Sequence, residues 1–235
     1  SAQYGGFDFI VGNPPWVRAD WLDAPALSEL DAMLGVRGAG SSQVSSAKPI
    51  LLQAPDARAF FVKHLTAAIG AGAYLSNSRC YRCLSGIRTN LYKNFIVRAW
   101  DLLSSRGVGG LLHPEGVYED PRGGRLRQEY YHRLRSHFQL KNELNLFADV
   151  DHHVTFGINI FGDMRSAPCF TNIANLFHPR TISDCVFHDR DGDPTPGIKN
   201  DSGKWDLKGH KRRVVKVTEK ELGTFSSLFE EAGTP

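Results

Sequence analysis

The chain has 235 residues, 41% hydrophobic and 23% charged, with 28 lysines and arginines against 25 acidic residues for a net charge of +3. That composition is ordinary for a globular chain with one core and an appendage, and it excludes a whole-chain electrostatic case for nucleic-acid binding. No apolar run is long enough to cross a bilayer, and the four cysteines (Cys80, Cys83, Cys169, Cys185) lack the density of a disulfide scaffold, so a reducing cytoplasm is the expected setting.

Phe7-Asp8-Phe9-Ile10-Val11 is apolar on both faces, which predicts a strand in the interior of a parallel sheet. It leads into Asn13-Pro14-Pro15-Trp16. Trp16 to about Gly40, with its glycines and Pro25, and the serine-rich stretch after it, read as a mobile loop region with one short helix. Asp56–Ile69 carries a helical stripe, and Gly70-Ala71-Gly72 reads as the terminus of that helix. Thr89–Ser105 is the clearest helix, with Leu91, Phe95, Ala99, Leu102 and Leu103 on one face, Thr89 as cap and Gly107 past its end. Val108–Leu112 predicts a second buried strand, ending at His113-Pro114.

Gly123-Gly124 opens a further helix on Leu126, Tyr130, Leu134 and Phe138. Leu140–Phe147 predicts a third strand, and the alternation Val154, Phe156, Ile158, Ile160 a fourth. Alternating strands and helices closed by a hairpin-like strand predict part of an open α/β sheet. Beyond residue 165 the periodicity fades among prolines, and Lys199–Lys216 concentrates basic residues. We therefore place a boundary there, with 1–165 as one domain and 166–235 as an irregular C-terminal extension.

The Asn-Pro-Pro-Trp segment has a chemical logic. An exocyclic amine on a heterocycle is a poor nucleophile because its lone pair is delocalised into the ring. Two acceptors bonded to its hydrogens draw the nitrogen toward a tetrahedral shape and localise that pair. The Asn13 side-chain carbonyl and the Pro14 backbone carbonyl supply two such acceptors, since proline accepts but does not donate. Pro15 holds the turn, and Trp16 offers a ring on which a base stacks, a contact worth roughly 1–3 kcal/mol.

Phe7 through Trp16 resembles the catalytic motif of S-adenosylmethionine-dependent adenine-N6 DNA methyltransferases of restriction-modification and phage-defence systems. Asn90–Leu103 with Gly107–Gly116 looks like the helix and strand that follow the motif there. Leu146-Phe147 through Ile160 resembles the last hairpin, and Gly209–Val217 the segment leading to a target-recognition region. The resemblance implies the C-terminal half of a Rossmann-like class I methyltransferase sheet. It also implies S-adenosylmethionine as methyl donor, touched here by Asn13, and double-stranded DNA with a flipped adenine as substrate. Catalytic roles fall on Asn13, Pro14, Pro15 and Trp16, base contacts on Trp16 and Phe147, and DNA contacts on Lys208, Lys211, Arg212 and Arg213.

The family's glycine-rich turn after its first strand, and the acidic residue after its second, have no counterpart in this sequence. The expectation is an excised piece, inactive alone, whose partners are the other half of its catalytic domain and a downstream target-recognition region. The bare edge of the opening strand is then expected to self-associate or be covered. Asn-Pro-Pro-aromatic motifs also serve RNA and glutamine methylation, so those substrates stay open, as does a non-catalytic DNA-binding module.

Several residues carry two readings. Trp16 also reads as a core aromatic, against which only its position beside the ledge argues, and Phe147 is equally well a core phenylalanine at a strand end. Glu115 ends a strand at the ligand-binding edge, or is a solvent-facing turn carboxylate. His152-His153 on a strand would point to opposite faces, which favours a solvated loop over a metal pair. Cys80-Tyr81-Arg82-Cys83 has zinc spacing, but Cys169 and Cys185 form no second close pair, and no metal is expected. The Lys199–Lys216 run meets phosphates or is a solvated tether.

Overall fold

Strand β1 (Phe7–Gly12) lies at the edge of a six-stranded sheet, not in its interior. Phe7, Phe9 and Val11 are 58%, 76% and 86% exposed, because no described element covers the face of β1 that they share. The computed structural model describes residues 5–190 and 192–229. The chain divides into two compact units. One is Val17–Leu91, and the other joins the segment ending at Trp16 to the chain from Tyr92 onward.

The Val17–Leu91 unit is helical: α1 (Asp23–Ser28), α2 (Ala32–Val36), α3 (Ser41–Leu51) and α4 (Pro55–Leu75). Its small core is Ala26, Leu27, Val44 and Phe61. The serine-rich stretch expected to be a loop is helix α3. The Gly40 amide donates to Gln43 Oε1 at 3.0 Å, satisfying one free N–H of the first turn, and buried Val44 anchors the helix on the core. Helix α4 begins with Pro55 in its first turn and Asp56 beside it, both suited to a helix start. It does not stop at Gly70-Ala71-Gly72 but runs through them to Leu75. Two glycines at roughly 1 kcal/mol each are affordable within 21 residues.

The sheet unit continues with α5 (Leu91–Leu102), β2 (Leu103–Pro114), α6 (Gly116–Glu119), α7 (Gly124–Arg133), β3 (Leu134–Lys141), β4 (Thr155–Phe161), β5 (Cys169–Leu176), α8 (Arg180–Val186), β6 (Val215–Thr218) and α9 (Glu219–Phe229). Strand order is β1-β2-β4-β3-β5-β6. β1 runs parallel to β2 and β3 parallel to β5. β4 is antiparallel to both β2 and β3, and β6 antiparallel to β5. The carboxyl ends of β1, β2 and β3 and the start of β4 therefore share one edge of the sheet. The expected α/β class with a closing antiparallel strand holds.

Helix α5 buries Tyr92, Ile96, Ala99 and Trp100, whereas Phe95, expected on the inner stripe, is exposed. Two apolar stripes compete on this helix, and the one carrying the larger rings against the sheet wins. Trp100 packs edge-on to Phe161, and Tyr130 of α7 does the same. Gly107 lies inside β2, not past a helix end. A Cβ there would stand 2.5 Å from the Phe7 carbonyl oxygen, so glycine permits the close approach of β1. Helix α7 ends at Arg133 and β3 begins at Leu134, six residues before the predicted start at Leu140, so Leu134 and Phe138 belong to β3. The predicted strand at 140–147 gives way to a 3-10 turn at Asn142–Leu144 and a loop.

On the other face, Leu140, Phe156, Ile173, Leu176 and Cys185 form a core that α8 helps to cover. Past residue 165 the chain does not leave the sheet: β5 and β6 extend it, and the division between compact units falls elsewhere.

Candidate active site

β1 delivers Asn13 to the carboxyl edge of the sheet. Asn13 is exposed, Pro14 buried, Pro15 exposed and Trp16 half-buried. Among the described residues neither the Asn13 side chain nor the Pro14 carbonyl has a hydrogen-bond partner. The two acceptors thus stand ready for an incoming donor.

Trp16 is held from three sides. Its indole N–H donates to the Leu112 carbonyl of β2 at 3.4 Å. Phe147 meets the ring edge-on at 5.6 Å between centroids, and Phe156 lies tilted at 5.8 Å. The sequence-predicted pair Trp16 and Phe147 is therefore together in space, and both rings also pack against the Leu140–Phe156 core. Aromatic pairs in such geometry contribute about 0.5–1.5 kcal/mol beyond area burial, which fixes the indole beside the ledge.

Phe147 owes its place to Asn142, which is fully buried. The Asn142 side-chain amide donates to the carbonyls of Phe147 at 2.9 Å, Val150 at 2.7 Å and Asp151 at 3.4 Å, and its oxygen accepts from the Phe147 amide at 3.0 Å. One side chain so replaces the ladder that the 142–154 connection lacks. Asn145, with φ of 51°, makes the left-handed turn that lets the chain double back. No sequence pattern marked Asn142; only the end of a strand followed by a polar, turn-rich stretch pointed to that place.

Behind the ledge a buried polar network joins β2, β3, β4 and α7. His113 Nδ1 lies 2.9 Å from the Pro114 carbonyl, which only accepts, so Nδ1 carries the proton and Nε2 accepts from the Tyr130 hydroxyl at 3.1 Å. The Tyr118 hydroxyl lies 3.1 Å from Tyr130 Oη and 2.9 Å from Asn159 Oδ1. Complete burial lowers the His113 pKa from 6.5 to about 4 and raises those of Tyr118 and Tyr130, so all three are neutral at pH 7.

Glu115 is neither solvent-facing nor aimed outward. It is 6% exposed, with Oε1 3.1 Å from His137 Nε2 and Oε2 accepting from Gln139 Nε2 at 3.2 Å. Gly157 makes room for this cluster: a Cβ there would stand 2.5 Å from Glu115 Oε1 and 2.9 Å from His137 Nε2. Nearby, Lys93 and Asp120 form an ion pair at 2.6 Å, 8% and 16% exposed.

The remaining sequence-predicted residues fall outside this centre. His152 and His153 sit in an exposed turn before β4, not on the strand, so alternation does not separate them; their ring centroids are 3.8 Å apart. Cys80 is exposed and Cys83 buried, and neither is in a disulfide. Lys208 and Arg212 are exposed, and Lys211 is exposed in the turn Lys211–Arg213. Arg213, expected on DNA, instead directs its guanidinium to the carbonyls of Lys208 at 3.2 Å, Ala174 at 3.2 Å and Asn175 at 2.9 Å, fastening that turn to β5. No described helix is long and apolar enough to cross a membrane.

No glycine-rich strand-to-helix turn exists among the described residues, since Gly70 and Gly72 lie within α4.

No family model matches the chain, and no curated protein matches it. Among solved structures it is similar to the methyltransferase subunit of a type I restriction-modification system from Streptococcus thermophilus, at 14% identity and a TM-score of 0.36 over 74% of this chain and 27% of that one. A second, from a study of assembly and conformational transition of the type I restriction-modification system, matches at 12% identity and TM-score 0.40 over 99% of this chain and 38% of the other. The type IIG restriction endonuclease BpuSI matches at 14% and 0.36 over 61% of this chain and 16% of the enzyme. The chain spans less than two-fifths of each of these proteins. Likeness at these scores carries no argument about the chain, whose functional reading rests on its motif and geometry.

Proposed function

We propose that this chain is part of a DNA methyltransferase that transfers a methyl group from S-adenosylmethionine to adenine N6, within a restriction-modification or phage-defence system. The observation that carries the reading is the unpartnered pair of acceptors, Asn13 Oδ1 and the Pro14 carbonyl, beside an indole held by Leu112, Phe147 and Phe156. In this reading the two oxygens accept both hydrogens of the amine, and its lone pair is freed toward the methyl donor. Trp16 and Phe147 hold the flipped base, and their contacts offset the few kcal/mol that unstacking costs.

The methyl donor itself is bound mainly by segments beyond the described residues. The bare β1 edge is where such segments add to the sheet, with the strands through β6 supplying half a catalytic domain and the chain past β6 leading toward a target-recognition region. Lys208, Lys211 and Arg212 are the proposed phosphate contacts. Neutralising them lowers the salt dependence of DNA binding if they act so.

The test uses the longest polypeptide its gene encodes, with tritiated S-adenosylmethionine and mixed-sequence duplex DNA, and N6-methyladenine read by mass spectrometry. Asn13→Ala abolishes the label in this reading. Persistent adenine methylation in that variant refutes the role of the ledge. DNA binding without any transfer by the native protein favours the non-catalytic module, and label on RNA or glutamine favours the sister chemistries.

A further inference from the structure

The turn between the Phe147 loop and β4 gathers three metal-binding side chains. One donor atom from each of Asp151, His152 and His153 lies within 4.8 Å of the others, and no other such group of three occurs among the described residues. All three side chains are exposed, so an ion can reach them without opening the fold.

The spacing is close to what coordination demands. Two ligands on a tetrahedral ion with bonds of about 2.1 Å stand about 3.4 Å apart. Asp151 Oδ1 and His153 Nδ1 are already 3.1 Å apart. His152 alone has to swing to complete the set, which rotation of an exposed side chain supplies.

The backbone beneath is organised in advance. Asp151 Oδ1 accepts from the His153 amide at 2.8 Å, and the Asp151 carbonyl accepts from the Val154 amide at 3.0 Å and from Asn142 Nδ2 at 3.4 Å. The amide that seats Phe147 therefore also holds the turn carrying the donors. Little loop entropy is left to lose when an ion binds, unlike at a histidine pair on a free tail.

We propose that Asp151, His152 and His153 bind a divalent transition-metal ion of the zinc, nickel or copper class. Two neutral imidazoles and one carboxylate suit these ions, whereas magnesium and calcium prefer all-oxygen shells. Three protein ligands leave a fourth position for water or an anionic oxygen. Coordination to His153 Nδ1 requires only that its proton move to Nε2, so the neutral ring tautomerises with no net change of charge. Because the turn follows the Phe147 loop directly, a bound ion stiffens the segment from Asn142 to Thr155.

Isothermal titration of the tag-free chain with zinc chloride tests this. One zinc per chain is expected, with no heat from magnesium under the same conditions. Replacing both histidines, His152→Ala with His153→Ala, removes two of three ligands. Affinity should fall by more than the roughly 10–100-fold that an outer-shell partner carries. The exposed positions keep the fold intact, which circular dichroism checks. The pair Cys80→Ser and Cys83→Ser should leave the affinity unchanged. No zinc binding, or binding that survives loss of both histidines, overturns the proposal, as does binding abolished by the cysteine substitutions.

Discussion

His113 makes acid stability a direct probe of the buried network. Its ring is fully enclosed, stacked on Tyr92 at 5.2 Å and hydrogen-bonded to Pro114 and Tyr130, and burial lowers its pKa from 6.5 to about 4. The folded state therefore binds this proton less readily than the unfolded chain. Stability that is complete above pH 6.5 is lost as the pH falls toward 4, at up to about 1.4 kcal/mol per pH unit and about 3 kcal/mol in all. His113→Gln keeps a hydrogen-bonding side chain that does not titrate. It costs about 1–3 kcal/mol at pH 7.5, because Tyr130 or Pro114 loses its partner. Urea unfolding of both proteins between pH 7.5 and 4 should show the stability difference shifting by about 3 kcal/mol in favour of the variant, enough to close or reverse the gap. Parallel pH curves, or a His113 ring resonance titrating near 6.5, would refute the reasoning.

Two further outcomes follow from the packing. Gly157→Ala drives a methyl group into the Glu115–His137 contact, where the nearest atoms stand at 2.5 and 2.9 Å, and should destabilise the chain by about 1–3 kcal/mol in urea unfolding. A loss below 0.5 kcal/mol would mean that the cluster is loosely held. Phe9→Lys places a charge on the bare β1 edge, where Phe9 is 76% exposed, and should lower the self-association measured by analytical ultracentrifugation. Equal sedimentation of the two proteins at high concentration would remove the edge as the contact.

What was legible in the sequence was chiefly short-range. The apolar row Phe7–Val11, the β4 alternation and the start of α7 at the paired glycines each follow from local periodicity or turn chemistry. The end of α7 was not legible, because Leu126, Tyr130, Leu134 and Phe138 keep a four-residue spacing across a junction between helix and strand. Only the pairing of Leu134 with Phe161, and of Phe138 with Ile158, decides where the helix stops. The inner face of α5 was misjudged for a related reason: Phe95 is apolar, yet the sheet selects Tyr92, Ile96 and Trp100. The glycines at 70 and 72 and the serines of α3 show intrinsic propensity overridden by the rest of their helices.

The candidate site divides in the same way. Asn13 to Trp16 announce themselves because proline and an aromatic after a strand have few bland explanations. Asn142 and His137 do not, since a polar residue becomes a buried staple only through partners five to 35 residues away. Arg213 in a basic run looks like a phosphate ligand, and no local pattern shows that its guanidinium reaches the backbone carbonyls of Lys208, Ala174 and Asn175.

The pairing of β1 with β2 also bears on how the chain is made. Phe7 finds Leu103 as its partner, so 96 residues separate the two. At ribosomal speeds of about 5–20 residues per second, β1 waits roughly 5–20 seconds before its partner β2 is synthesised. Throughout that interval β1 is without the β2 ladder. The whole Val17–Leu91 unit is synthesised within that interval, before β1 and β2 can pair.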